Sequence, residues 1–474
     1  MRASVSSAFR MVHRMCHLPP LPLLFVLAGL VYVGLRLAAF VPSSTRMFPD
    51  SGTYLHVAAQ PLLSSEFLAG WRGWTVPLLY KLLPDSDAAR TVTQLAISIA
   101  CWLALAAVVA RCVRWPALRP AAFCLVLLFS LSVWVTQWDR LILSESVAVS
   151  LAAAVLAAWL AVARTPAPGG WAIAAVLAST LLWTFTRDSN AYVALLAVPF
   201  AIGWAALRIP RRPRIVLASG LIAIFIAHAL ALNSPTAQPR WENPLLNVIG
   251  TRVLTSETEL EYFRAHGMPV PDRLQVLAGE ELGGAEVRPL IEEDPRLGAF
   301  REWVRAEGRS TRAAFLLTHP DRALAPVVRN REALFTVDPS RSEAGGYGPI
   351  SSYRATGTEP LLPGPIAAAV YPPSIAAVLA WLAAVIAAAA WLAWRGAARA
   401  VWLVPAIALL LQVPHAALVW HGGPLEVPRH ALQVGAMTRL SLLLLSIFLI
   451  DAALSLRRRG VAPSPDEATP TATV

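Results

Sequence analysis

The chain has 474 residues, of which 56% are hydrophobic and only 15% charged, and its mean hydropathy is +0.56. A soluble domain carries about 25% charged residues, and a disordered chain is poor in apolar ones, so both classes fit badly. The formal net charge of +11 does not indicate nucleic acid, because the basic residues fall in short loops between apolar runs and form no single stripe.

A hydrocarbon slab about 30 Å thick needs roughly 20 apolar residues in a helix. Ten stretches come near this, at about 21–42, 91–113, 120–137, 145–163, 171–186, 189–207, 215–232, 373–394, 400–420 and 431–453. The third is broken by polar residues and the fifth is short. The first follows Arg2, Arg10 and Arg14, contains Arg36 and lacks a clear small-residue cleavage site, so it reads as a retained span and not a leader. The expectation is an all-α polytopic membrane protein with about ten transmembrane helices. Residues 1–232 form an N-terminal membrane domain with about seven spans. Residues 233–365 form a mostly helical extracytoplasmic domain inserted before the last three spans. Residues 366–456 carry those spans, and 457–474 form a disordered cytoplasmic tail.

With the N-terminus in the cytoplasm, the inside segments hold sixteen arginines, from Arg2 to Arg459. The short outside loops hold seven basic residues: Arg46, Arg72, Lys81, Arg90, Arg140, Arg187 and Arg429. This bias places both termini inside the cell membrane and the loops bearing those seven outside. Of the 29 acids, 18 lie in 233–365. Eight of the others, including Asp50, Asp139, Glu145, Asp188 and Glu426, share the outside face. Acids contribute little to topology, so their one-sidedness suggests a polar, functional outer surface. None of the four cysteines lies in 233–365, and no Cys/His zinc spacing occurs.

Within 233–365, "TSETELEYFRAHG" reads as a helix capped by Thr255 or Ser256 and closed at Gly267. "RLGAFREWVRAEG" puts Phe300, Trp303 and Val304 on one face. The run from Ser310 to Phe335 looks like two helices meeting at Pro320, and 338–364 looks like a flexible loop.

Four outside loops carry the candidate chemistry. In the first, Asp50 either acts as a general base on a hydroxyl or amine or caps a helix starting near Ser51; Thr53 to Leu68 is expected to form an amphipathic helix along the membrane. In the second, Asp139, Arg140 and Glu145 lie at a span join, where Glu145 either complements a helix dipole or faces a polar cavity. In the third, Arg187 and Asp188 either pair with each other or leave Arg187 for a phosphate, which a planar guanidinium grips with two bonds. In the last, Glu426, Arg429 and His430 form either a plain salt bridge or part of a site, with Arg439 deeper in the following span. Together these loops imply a polar pocket at the outer membrane surface, its arginines (Arg72, Arg140, Arg187, Arg429) suited to phosphate and its acids to base catalysis or sugar hydroxyls.

The segments "PDSGTYLHVA", "LILSESVAVSL", "TRDSNAYVALL" and "EVPRH", each at an outside join, make the chain resemble the polytopic membrane glycosyltransferases of the GT-C fold class, of mannosyl- and arabinosyltransferase type. The resemblance implies a cell-envelope glycosyltransferase that moves a sugar from a polyprenyl-phosphate donor to an extracytoplasmic glycan, lipid or protein by inverting displacement. Asp50 would be the catalytic base, although many members have two adjacent acids where this chain has Asp50 and Ser51. Arg187 and Arg429 would hold the donor phosphate with Arg140 and Arg72 nearby. Glu145 and Glu426 would bind sugar or acceptor, with Asp139, Asp188, His430 and Tyr54 as further candidates. The lipid-linked donor is a substrate, and no cofactor, metal or nucleic acid is called for. Two other readings stand beside this one: a transporter or flippase of a lipid-linked saccharide, and a non-catalytic envelope assembly protein built around 233–365.

Overall fold

A hydrocarbon slab offers the backbone no hydrogen-bond partners, so a long apolar run that crosses it must satisfy its own polar groups as a helix. The computed structural model of the protein, which describes residues 21–40, 45–336 and 360–461, is built this way. Eight helices are long and apolar enough to span: Pro22–Phe40, Asp87–Cys112, Glu145–Ala163, Asp188–Arg208, Arg211–Leu232, Ile375–Trp394, Ala400–Gly422 and Val427–Arg457. The expected third span is a pair, Leu118–Ser130 and Val133–Arg140, bent by 56°; counted as one crossing it makes nine. The expected fifth span is Gly170–Thr184, only 15 residues, or about 22 Å at 1.5 Å per residue. All ten stretches are helical, and the fifth falls short of the slab. Among the described residues no strand forms, only an isolated bridge between Arg46 and Leu141. The protein is an all-α polytopic membrane protein.

The last helix gives the bundle a ruler. At one end Asp451, fully buried, accepts from Arg114 N at 2.9 Å, Trp115 N at 2.8 Å and Arg399 Nη1 at 2.5 Å. These donors come from two loops expected on the inside, and the clasp gathers them at one end of the bundle. Arg429 lies at the other end of the same run. The rise from Arg429 to Asp451 is about 33 Å, close to one hydrocarbon thickness.

Between these levels the first span is fastened by Arg36, whose Nη2 meets Asp139 Oδ2 at 2.5 Å with both side chains buried. Arg36 also donates to Ser98 Oγ at 2.8 Å and Tyr32 Oη at 3.0 Å, while Ser146 Oγ donates to the second Asp139 oxygen at 2.6 Å.

The polar insertion has its own core around Leu245, Phe263, Phe300, Trp303, Val304 and Phe315. Ser256 caps Glu257–Ala265 by accepting from Glu259 N, and Gly267 closes the turn at φ +86°. The run after Ser310 folds as Arg309–Thr318 and Pro320–Arg329, with a third short helix Arg331–Phe335. Three arginines dock this unit on loops at the Arg429 end of the bundle. Arg240 pairs with Asp188. Arg252 Nη1 donates to Trp420 O at 2.6 Å, and Arg312 Nη2 sits 3.2 Å from His421 Nδ1. The unit's core stops at Phe315 and Leu316. Beyond it, Val327 and Leu334 pack with Ala416, Val419, Val427 and Val434 of the last two spanning helices. Most of the loop expected at 338–364 lies outside the described residues. So does the tail beyond Val461, up to which the last helix continues.

Arg36→Ala leaves Asp139 buried without its cation, which costs about 3–5 kcal/mol. Thermal unfolding in detergent should show a large loss of stability for that variant. Most of the loss should be recovered by pairing Arg36→Met with Asp139→Leu, since two apolar side chains replace a buried ion pair at little cost.

Candidate functional site

In the first loop Pro49 supplies a fixed φ at the first turn of Pro49–Ala59. The helix stops at Ala59 because Pro61 follows closely, and a separate helix, Ser65–Ala69, starts after it. The expected continuous helix over Thr53–Leu68 is therefore two pieces. Asp50 does not cap: Ser51 Oγ accepts from Phe48 N at 2.9 Å instead. This leaves the Asp50 carboxylate to two guanidinium groups. Arg72 Nη2 donates to Oδ1 at 2.6 Å and Arg429 Nη2 to Oδ2 at 2.6 Å. Arg72 is itself held by Thr53 Oγ1 at 2.7 Å and lies over the Tyr54 ring, 4.8 Å from its centroid.

Arg429 is the hub. It is 6% exposed, and three carboxylates from three elements surround it. Besides Asp50, Glu426 Oε2 lies 2.6 Å from Nη2, and Glu145 Oε1 lies 3.6 Å from Nε. His430 Nε2 is 3.1 Å from Arg429 Nη2; since a guanidinium only donates, that ring nitrogen is the acceptor. Arg187 Nη2 reaches Glu145 Oε1 at 3.7 Å. The second Glu145 oxygen is buried without a hydrogen-bond partner. Asp50 is thus tightly clamped, whereas Glu145 and Arg187 are in loose Coulombic contact.

The electrostatics follow from this packing. Burial alone would raise the Asp50 pKa, but Arg72 and then Arg429 outweigh it and hold the carboxyl well below the usual range. Glu426 goes the other way. Burial raises it to about 7, with Arg429 opposing and the Asp50 and Glu145 charges assisting. Glu426 is also the one non-glycine residue at positive φ among the described residues, at 50°, a backbone conformation that costs about 1–3 kcal/mol for such a residue. The cluster has three arginines and three carboxylates. With Glu426 protonated it carries one net positive charge, which favours an anion.

The structure therefore brings together Asp50, Tyr54, Arg72, Glu145, Arg187, Glu426, Arg429 and His430. It places three other candidates elsewhere. Asp139 faces Arg36 and Ser146. The Arg140 guanidinium lies over Phe40, 5.9 Å from the ring centroid. Asp188 pairs with Arg240, with His228 Nε2 at 3.9 Å, and does not pair with its neighbour Arg187. Among the described residues no group of three or more His, Cys, Asp or Glu side chains is arranged to hold a metal ion.

Beneath the cluster lies an apolar cavity of about 130 Å³, lined by Leu156, Trp159, Trp183, Trp204, Ile407 and Met437, with His415, Gln412 and Gln433 as its polar members. Phe200 and Leu403, both exposed, form part of its wall and mark a mouth on the outside of the bundle. Gln433 is one helical turn from Arg429, so the cavity starts about 6 Å under that arginine. Neither side-chain amide atom of Gln433 is hydrogen-bonded. These polar side chains were missing from the sequence expectation. Their only signal was a His and two Gln inside otherwise apolar runs, where polar groups tend to be functional.

Compared with family models, with curated proteins and with solved structures, the chain matches none.

Glu426 should titrate visibly. An infrared pH series should show a protonated carboxyl C=O band that disappears as pH rises through about 7 and is absent in Glu426→Gln. The sign for stability is fixed by linkage. The folded state holds a proton that the unfolded state has already released, so this residue's contribution to stability falls as pH rises from about 4.5 to about 7. The melting temperature of Glu426→Gln relative to wild type should therefore climb across that window and stay flat above it.

Proposed function

We propose that the protein is a membrane glycosyltransferase that moves a sugar from a polyprenyl-phosphate donor to an extracytoplasmic acceptor by inverting displacement. The observation that carries this reading is the stacking of two sites along the same helices. A cluster of arginines and acids lies at one end of the bundle, and an apolar cavity that opens on the outside of the bundle begins beneath it. A single-chain lipid phosphate has this division of chemistry, with a charged head and an apolar tail. The positive-inside bias puts the charged end outside the cell.

In the proposed reaction the donor phosphate sits among Arg72, Arg187 and Arg429. Planar guanidinium groups suit its oxygens, and low surrounding polarity strengthens their effect on the charge that builds as phosphate leaves. Asp50 is a weak base while both its oxygens receive arginine protons. As the guanidinium groups turn to phosphate, its basicity returns. It then accepts the proton of the acceptor hydroxyl while that oxygen bonds the anomeric carbon and the carbon–phosphate oxygen bond breaks, its electron pair leaving with polyprenyl phosphate. Glu145 and Glu426 hold sugar or acceptor hydroxyls. Transport is less well supported, because the cavity beneath the cluster is lined mainly by apolar side chains.

Transfer from a radiolabelled polyprenyl-phosphate sugar should fall by about 100-fold or more in Asp50→Asn, the usual scale for losing a general base. Full activity in that variant would remove Asp50 from the chemistry. Filling the cavity with Ala408→Phe should raise KM for a long-chain donor by about tenfold, the equivalent of 1–2 kcal/mol of overpacking. It should leave a short-chain analogue unaffected, and an equal effect on both donors would place the tail elsewhere.

A further inference from the structure

The segment after Pro320 belongs to the polar insertion by sequence and to the membrane bundle by packing. Val327 and Leu334 are buried against Ala416, Val419 and Val434, and His421 Nε2 lies 2.8 Å from Ala323 O. The segment therefore runs along the end of Ala400–Gly422 and inwards from it. It ends on Arg439, whose Nη1 donates to Phe335 O at 2.5 Å and whose Nε donates to Pro372 O at 2.8 Å. Arg439 is fully buried and about 15 Å further along the last helix than Arg429, by the rise per residue. Phe335 is therefore held at a level between the Arg429 cluster and Asp451, whose separation of about 33 Å is close to one hydrocarbon thickness.

The outward face has the matching chemistry. Leu324 and Val328, four residues apart and so on one side of Pro320–Arg329, are 52% and 61% exposed. Arg322, Arg329 and Arg331 flank them and are also exposed. An apolar stripe bordered by arginines is the pattern of a helix that lies in a lipid interface, where long basic side chains reach up to the headgroups.

We propose that Pro320–Arg329 and Arg331–Phe335 form a re-entrant element of the membrane domain, with Leu324 and Val328 against lipid acyl chains and Arg322, Arg329 and Arg331 at lipid phosphates. The occupant of this face is lipid because the face continues the surface of spanning helices that already meet it. The inference does not rest on the transferase reading and holds whatever the chemistry of the cluster.

The test uses the full chain in phosphatidylcholine–phosphatidylglycerol vesicles, in a background lacking the four native cysteines. A nitroxide is placed in turn at Leu324→Cys and Val328→Cys, at Ile222→Cys as a spanning reference and at Glu261→Cys as a water reference. Power saturation with oxygen and with a water-soluble nickel chelate reads the depth of each. The expected result is a shift of Leu324 and Val328 to the oxygen-dominated behaviour of Ile222, with Glu261 dominated by nickel. Nickel-dominated relaxation at both positions would overturn the proposal in favour of a water-facing helix. Protection from both reagents would overturn it in favour of a protein partner. Recovery of folded, monodisperse protein for each labelled variant keeps misfolding from passing as either outcome.

Discussion

A guanidinium buried away from water must be met by anions or carbonyls, and leaving it alone costs several kcal/mol. Arg429 has this requirement at the N-terminal end of the last helix. It is met by Asp50 from the first loop, Glu145 from the start of another span and Glu426 from the turn just before it. Because each acid sits on a different element, satisfying one cation fixes the position of three. The opposite end repeats the device with the sign reversed, a buried carboxylate at Asp451 collecting donors from two loops. Arg36 and Asp139 do the same within the bundle. Lipid gives apolar helices no hydrophobic reason to prefer each other over acyl chains, so polar staples of this kind carry much of the specificity of the packing.

The helices were legible because hydropathy and length are local properties. All ten apolar stretches fold as helices, and Ser256, Gly267 and the Phe300–Trp303–Val304 face lie where capping and periodicity placed them. The fifth stretch shows the limit of that reading: Gly170–Thr184 is helical yet too short to cross a typical slab unaided. In the first outside loop the amphipathic pattern suggested one helix, but Pro61 was under-weighted, and a single proline decided the boundary.

Pairings were less legible, because sequence neighbours need not face each other. Arg187 and Asp188 are adjacent, yet the extended Arg187 backbone and the helix beginning at Asp188 send their side chains to different partners, Glu145 and Arg240. Asp139 and Glu145 lie at one span join, yet the first is taken by Arg36 on a helix far away in sequence. The end of the polar insertion shows the same separation of sequence from contact. Composition keeps 320–335 with the residues before it, while Val327 and Leu334 pack on the last two spanning helices.

Charge balance links the shape of the cluster to its proposed use. Three arginines held by three carboxylates form a stable arrangement, but not a closed one. Burial raises Glu426 to about 7, so it is only partly ionised near neutrality, and the Glu145–Arg187 contact is long enough for an anion to compete with it. An arriving phosphate offers the guanidinium groups shorter, charge-assisted bonds. Every arginine proton it takes is one removed from Asp50. The same guanidinium groups that depress Asp50 are those the phosphate would recruit, so base strength is tied to the presence of the leaving group. A site in which Asp50 stood apart from the arginines would keep a constant base and have no such coupling. The two hydrogen bonds of 2.6 Å on opposite oxygens of one carboxylate are therefore the feature from which the proposed chemistry follows.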